Sequence, residues 1–410
     1  MVPAEASIGG LACRRAHGAS GESGAWLDRD ISSHGGDMTA YDIGFVLEQA
    51  LGHVTHARNL QVNVPKDPQV RAHWALVDFQ VEGFARRIPL YNSNWTVRAG
   101  FRARQQLGQI TREAKLDAIF FHTQVPAILA RSWLRKFPSI VSLDATPLQY
   151  DQFGGVYHHG QGPVWLESMK WRMNRDCYEA ARRIVAWAEW TKRGLVDDYQ
   201  VPSEKIVVIP PGVNVSEWRR PEPRGTRSGP VRILFVGGNF ERKGGLDLIQ
   251  SFRALRDLGG ELHIVTRDKI DPEPNVFVYN AMEPNSQPLK QLFHSCDIFA
   301  LPTFGDSLPL VLSEAGASGM AIVSTDIAGI PEIVRAGETG LLIRPGDTTA
   351  LTEALRQLMT SADRRLALGS RALAHTTQNF DAATNAQRLL DLIKAEADLA
   401  KFQKAQAARV

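Results

Sequence analysis

Leu301-Pro-Thr-Phe-Gly-Asp-Ser-Leu-Pro-Leu-Val-Leu-Ser-Glu-Ala-Gly-Ala-Ser-Gly319 joins an apolar run, ending near Pro302, to a helical pattern beginning near Pro309. A short polar loop lies between them. Ser307 is placed to cap the helix through its side-chain oxygen, and Pro309 suits a first turn, where no amide hydrogen is needed. The free amides and positive dipole end of such a helix attract an anion such as phosphate. Asp306 stands in the loop, and Glu314 follows on the helix eight residues later. Two carboxylates so spaced can accept from neighbouring hydroxyls of one polyol, which is how a sugar ring is gripped. The alternative is that Asp306 only caps the helix and Glu314 only faces solvent. Ala315, Gly316 and Ala317 argue against that for Glu314, because a charge among small apolar residues is partly buried and needs a partner.

Upstream, Ile233-Leu-Phe-Val-Gly-Gly-Asn-Phe-Glu-Arg-Lys-Gly-Gly245 repeats the order of strand, loop and helix, with the helix expected from about Leu246. Gly237 and Gly238 permit close backbone approach. Arg242 and Lys243 stand where a diphosphate needs cations, the arginine as a fork and the lysine as a point charge. A surface basic pair is the competing reading, but cations at a helix N-terminus oppose its dipole.

The same alternation runs along the chain. In the first half the apolar runs are Ile43–Leu47, Trp74–Phe79, Ala118–Phe121, Ile140–Leu143, Ile184–Trp187 and Ile206–Ile209. In the second they are Val231–Val236, Leu262–Val265, Val276–Val278, Ile298–Leu301, Ala321–Ser324 and Gly340–Ile343. Short continuous apolar runs separated by helical patterns read as buried parallel strands, giving two doubly wound α/β units in tandem. The Pro-, Gly- and charge-rich stretch Arg219–Pro230 connects them, with the true boundary near Pro210-Pro-Gly212. After Thr349 the pattern is helical, ending in an amphipathic helix from about Ala382 to Arg409. The expected organisation is a flexible leader (1–39), a first Rossmann-like domain (40–211), a second Rossmann-like domain (212–380) and a terminal helix (381–410) packing back toward the first domain. Ligands of doubly wound sheets bind beyond the carboxyl ends of the strands. Two such units facing each other make a cleft suited to a two-substrate enzyme.

Composition sets the outer limits. The 410 residues are too many for one core, and 44% hydrophobic with 22% charged residues is an ordinary globular balance. No apolar run approaches the ~18–20 residues that span a bilayer. A net charge of +3 is too mild to imply nucleic acid. Cys13, Cys177 and Cys296 are scattered, which excludes a metal knuckle, argues against a disulfide framework and fits a cytoplasmic setting. The leader is small and polar without periodicity. Met38 just before the first strand reads as the start of translation, an ordinary disordered tail being the other reading.

Together these segments resemble the family 4 glycosyltransferases, retaining enzymes with the GT-B fold of two Rossmann-like domains facing across a cleft. The resemblance lies in Lys243-Gly244, Asp306-x7-Glu314, Ala321-Ile-Val-Ser-Thr325, Gly329-Ile-Pro-Glu332, Thr339-Gly-Leu-Leu-Ile-Arg-Pro-Gly346 and Lys205-Ile-Val-Val-Ile-Pro-Pro-Gly-Val-Asn214. It is strong over about 185–350 and weaker from 42 to 184. It implies that Lys243 with Arg242 holds the diphosphate of a nucleotide-diphosphate sugar and that Glu314 binds the ribose. Asp306, with the amides of Ser307 and Leu308, would meet the donor sugar. Aspartate stands where glutamate is commoner in the family, and Gly238 where many members carry an arginine, so Arg242 substitutes.

In the first half, Leu51-Gly-His-Val-Thr-His56 is similar to the family's first glycine loop, making Gly52 and His53 candidates on the acceptor side, with a polar helix start as the other reading. Many members carry a histidine against the donor sugar at the end of the Ser142-Leu-Asp-Ala-Thr146 strand. Here either Asp144 takes that contact or His122 reaches it from the adjacent strand. The resemblance implies a hexosyltransferase needing no cofactor, and no divalent metal because no D-x-D motif follows an apolar strand. The acceptor could be a carbohydrate, a lipid-linked sugar or a small molecule. The basic residues Arg98, Arg102, Arg104, Arg112, Lys115, Arg131, Arg135 and Lys136 could dock on anionic lipid or simply form a solvated face. His158 and His159 are adjacent, which does not by itself make a metal site. A nucleotide-sugar epimerase and a non-catalytic nucleotide-sugar-binding protein are the competing functions. A nicotinamide oxidoreductase is disfavoured, since no G-x-G-x-x-G follows either first strand.

Overall fold

The computed structural model describes residues 40–50, 52–78, 80, 94–154, 162–225 and 228–409. Within them the apolar runs of the first half become β1 (Tyr41–Gln49), β2 (Val70–Asp78), β3 (Ala118–Phe121), β4 (Ser139–Leu143), β5 (Arg183–Ala186) and β6 (Ile206–Val208). Those of the second half become β7 (Arg232–Val236), β8 (Glu261–Val265), β9 (Val276–Tyr279), β10 (Ile298–Leu301), β11 (Ala321–Thr325) and β12 (Gly340–Ile343). The first six form a sheet in the order β2-β1-β3-β4-β5-β6, and the second six a sheet in the order β12-β11-β10-β7-β8-β9. Every pair is parallel. Helices cover the faces, so β4 and β10 are buried along their whole length.

β2 shows where pattern reading falls short. It is an edge strand, and its first half carries Arg71 and His73, which reach Asp42 of β1 at 3.2 and 2.8 Å. An edge strand need not be apolar throughout, so only its second half stands out as an apolar run.

Each sheet reverses its winding once. The first does so between β1 and β3, the second between β7 and β10. At these points the loops leaving neighbouring strands part to opposite faces and open a crevice. The chain passes between the sheets at two places that lie side by side. Val213 pairs with Asp381, and the amide of Ala382 donates to Val213 O at 2.9 Å. A Cβ on Gly212 would stand 2.4 Å from Ala382 N, so the crossing requires glycine. The last helix, Ala382–Ala407, then lies on the first sheet, where Leu389, Leu390 and Ile393 join the core containing Phe45 and Phe120. Glu396 on it accepts from Arg182 Nε and Arg183 Nε, each at 2.6 Å.

Cys177 and Cys296 are buried free thiols, each pushed up to about 12 by burial. The proposed leader, Cys13, His158 and His159 lie outside the described residues.

Candidate active site

The crevice of the second sheet is built from the loops after β7 and β10. Gly244, in the first loop, has φ of 76°, and a Cβ there would stand 1.9 Å from Pro302 O in the second. Only glycine lets the two loops approach this closely. Gly237 packs against the Lys243 side chain, and Gly238 faces open space. The backbone freedom that the sequence pattern suggests at 237 and 238 is thus required at Gly244.

The approach brings opposite charges together. Lys243 Nζ lies 2.6 Å from Asp306 Oδ1, and the Arg242 guanidinium is 3.4 Å from the same oxygen while also donating to Gly305 O. Thr303 donates to the other oxygen, Oδ2, at 2.7 Å, and Phe304 N donates to Arg242 O at 3.0 Å. Asp306 is therefore a counter-ion and not a helix cap. Ser307 is not a cap either. The helix runs Leu310–Ala317 with Pro309 at its cap position and no side-chain cap, while Ser307 Oγ donates to Asp144 Oδ2 at 2.6 Å. Leu308 is buried in the second core.

Glu314 sits on the same helix, about nine-tenths buried, and its side chain has no hydrogen bond among the described residues. Burial pushes its carboxyl up to about 8, against a smaller opposing pull from Lys290. Lys290 is itself paired with Glu217 at 2.7 Å. No hydrogen bond joins Glu314 to Asp306. A buried carboxylate without a partner is unstable as an anion, so two hydroxyl donors arriving together would both satisfy and ionise it.

Asp144 stands beyond the end of β4 in the first sheet. Besides Ser307, it accepts from the Tyr150 hydroxyl, and Thr191 donates to its carbonyl. Its carboxylate is thus shared between the two sheets.

At the first sheet's own reversal point lies an aromatic cluster. His122 Nε2 and His56 Nδ1 are 2.8 Å apart, and Trp187 lies within 6 Å of His53, His56 and His122, ring centre to ring centre. Burial holds His56 at about 3, and it drives His122 well below the usual imidazole range. Trp187 Nε1 donates to Ser142 Oγ at 2.7 Å. His53 Nδ1 is buried and without a hydrogen-bond partner, and Gly52 caps its helix, exposed to open space. Beside them Glu48 accepts from Trp95 Nε1 at 2.6 Å and from Thr123 Oγ1.

The two carry-overs for the donor sugar separate here. Asp144 is joined to the second sheet's loop, whereas His122 is fully buried and bonded to His56. Arg98 leaves the suggested basic face, being buried with its guanidinium 5.1 Å over the Trp95 ring. The sequence reading missed Thr303, Tyr150, Thr191 and His56. Thr303 could have been found by its three-residue spacing from Asp306, and His56 by its i,i+3 spacing from His53. Nothing in the sequence points to Tyr150 or Thr191, whose positions depend on how two helices pack.

Two parallel doubly wound sheets of this order, with their crevices on the loops just described, define a GT-B glycosyltransferase fold. Residues 52–217 match the family described as Glycosyltransferase Family 4, and residues 230–361 match Glycosyl transferases group 1. The chain belongs to the family 4 glycosyltransferases. Over 235 residues it is 30% identical to a D-inositol 3-phosphate glycosyltransferase of Nocardia farcinica, covering 52% of either chain. It is 24% identical over 280 residues to an alpha-maltose-1-phosphate synthase of Mycolicibacterium smegmatis, covering 60% of this chain and 69% of that one. The chain spans about half the length of the curated inositol-phosphate relatives it matches. Among solved structures, the sucrose-phosphate synthase of Thermosynechococcus elongatus superposes with a TM-score of 0.67 at 14% identity, covering 90% of this chain and all of that one. Anabaena HepE in complex with UDP-glucose gives 0.61 at 15%, covering 86% and 99%. No helix among the described residues is long and apolar enough to cross a membrane.

Proposed function

We propose that the chain transfers a hexose, with retention, from a nucleotide-diphosphate sugar to a hydroxyl of a polyol or sugar acceptor. The observation that carries this reading is the convergence of Lys243 and Arg242 on Asp306 at the second sheet's reversal point. Two cations held by one loop carboxylate form a net-positive site that a diphosphate can take over. The phosphates would draw Lys243 and Arg242 to themselves, and Asp306 would be freed to accept from hydroxyls of the donor sugar. Glu314 would take the two ribose hydroxyls and lose its proton as it does so.

Departure of the nucleotide diphosphate builds negative charge on the bridging oxygen. Lys243 and Arg242 are positioned to stabilise it, supplying charge that a divalent cation provides in other transferases. Attack from the same face as departure, through an oxocarbenium-like state, follows from the family resemblance. Asp144 would hold the sugar from the opposite side of the cleft, and closure of the sheets would keep water out. UDP-glucose in the Anabaena structure and the inositol phosphate named in the Nocardia relative make a uridine donor and a phosphorylated polyol acceptor the first pair to try. Contact with a membrane surface stays part of the proposal only through Arg102, Arg104, Arg112, Lys115, Arg131, Arg135 and Lys136.

The test is a thermal-shift panel of UDP, GDP, ADP and their common sugars without added metal. Ligands that bind only the native state raise its melting temperature by mass action. A shift with one base supports the donor site and names the base. No shift with any of them overturns the reading.

A further inference from the structure

The donor chemistry leaves the motif Gly329-Ile-Pro-Glu332 without a task. Its carboxylate does not face the donor loops. Glu332 Oε2 accepts from Glu189 N at 2.8 Å, and Oε1 from Trp190 N at 2.9 Å. Those amides open the helix Glu189–Asp197, which follows β5 in the first sheet. The residue at that helix's own cap position is Ala188, which has no side-chain oxygen to offer. A helix of one sheet is thus capped by a carboxylate of the other, with both oxygens used and the anion at the positive end of the dipole.

The bonds around this contact close into a ring. Thr191 of the capped helix donates to the carbonyl of Asp144. The carboxylate of Asp144 accepts from Ser307 at 2.6 Å. The carbonyl of Ser307 accepts from Gly329 N at 2.9 Å, which leads back to the turn carrying Glu332. The ring crosses between the sheets twice, once at Glu332 and once at Asp144. It has no slack at Gly329, where a Cβ would stand 2.9 Å from Ser307 O and 3.2 Å from the Ala188 Cβ. Behind it, His375 Nε2 lies 2.9 Å from Glu332 O and fixes the turn to the helix Ala362–Asn379.

We propose that Glu332 is a positioning residue. By capping the helix Glu189–Asp197 from the opposite sheet it clamps the two sheets and holds Asp144 against the Ser307 loop. This rests on the reading above that Asp144 and Asp306 meet the donor sugar. The nucleotide's own contacts, Lys243, Arg242 and Glu314, all lie on the second sheet's side and do not depend on the clamp. Loss of Glu332 should therefore spare nucleotide affinity and cut turnover.

The experiment compares the wild type with Glu332→Ala, Glu332→Gln, Ala188→Ser and the Ala188→Ser/Glu332→Ala pair. Four quantities are read: the melting temperature, the radius of gyration without ligand by X-ray scattering, the Kd for UDP by calorimetry, and the rate at which UDP-glucose loses its sugar to water. Glu332→Ala should enlarge the radius, leave the Kd within about twofold and lower turnover about tenfold. Glu332→Gln keeps one acceptor oxygen and should fall between. Ala188→Ser supplies the cap from within the first sheet. The double variant should regain melting temperature but neither compactness nor turnover. If the added Ala188→Ser change restores turnover along with stability, or if Glu332→Ala leaves radius and turnover unchanged, the clamp is refuted. If the wild type binds no nucleotide, the functional reading fails on its own, while the scattering comparison still decides the clamp.

Discussion

The two reversal points of the molecule have the same topology and opposite chemistry. At the second, two cations, a loop aspartate and a partnerless buried glutamate lie close to the crevice. At the first, three histidines and a tryptophan pack ring against ring, with burial holding His56 and His122 well below the usual imidazole range. On the proposed reading, the charged side suits a ligand whose diphosphate must be bound and then stabilised as it leaves. The other side presents ring faces and imidazole nitrogens, groups that suit the hydroxyl-bearing ring of an acceptor. The comparison teaches that the fold supplies two topologically equivalent crevices whose side chains differ, and the proposed reading assigns donor and acceptor to them by that difference.

The largest effect that could break this assignment is loss of Lys243. Lys243→Ala removes the ammonium 2.6 Å from Asp306 and leaves Arg242 and Thr303 to hold that carboxylate, so the loop should survive. Turnover should fall about 10²–10³-fold, the range seen when one preorganised donor to a developing anion is removed. Circular dichroism and melting should stay near wild type. Full activity in this variant would move the diphosphate elsewhere.

A middle-sized effect sharpens the role of Glu314. Its folded carboxyl is raised from its ordinary range to about 8, so between those values the native state holds a proton that the unfolded chain has lost. Wild-type stability should therefore fall as pH rises through that window. Glu314→Gln cannot ionise, so its melting temperature should gain on the wild type toward pH 8–9. The same variant should bind UDP at least tenfold more weakly, since an ionised acceptor of two hydroxyls is worth about 1.5–3 kcal/mol per bond. Calorimetry at pH 7 in buffers of different ionisation enthalpy should show a proton released as nucleotide binds the wild type, and none with the variant.

The same contrast explains how much was legible in the sequence. β1 and β3 to β12 carry continuous apolar runs and stand out, the inner strands because they are buried on both faces, whereas β2 is half hidden because an edge strand can carry Arg71 and His73. The donor loops were legible because their chemistry lies in consecutive residues: Arg242-Lys243-Gly244 and Asp306-Ser307. What each does was less so. Ser307 reads as a helix cap from its place two residues before Pro309, yet its hydroxyl goes to Asp144, 163 positions away. No local rule anticipates a partner on another sheet. The first crevice is assembled from His53, His56, His122 and Trp187, contributed by three separate segments, and only packing brings them together.

The smallest expected effect concerns that cluster and is felt in stability before activity. His56 is held at about 3 and His122 well below its ordinary range, both chiefly by burial and then by the neighbouring histidines. An unfolded histidine takes up a proton near pH 6.5, while these two resist it in the folded chain. Between pH 6.5 and 3 the unfolded state thus binds more protons, and stability is lost progressively as pH falls through that window. Melting measured from pH 7.5 down to pH 4 should show this slope in the wild type. A His56→Leu/His122→Phe double variant removes both titrating groups and keeps apolar bulk beside Trp187, so its slope should be distinctly flatter even if its melting temperature at pH 7.5 is lower. Its affinity for UDP should be unchanged, because the proposed nucleotide contacts all lie on the second sheet's side. An equal acid slope in both proteins would mean that the pair is protonated in the folded chain. The first crevice would then carry positive charge, and the contrast between the two reversal points would no longer support the proposed assignment of donor and acceptor.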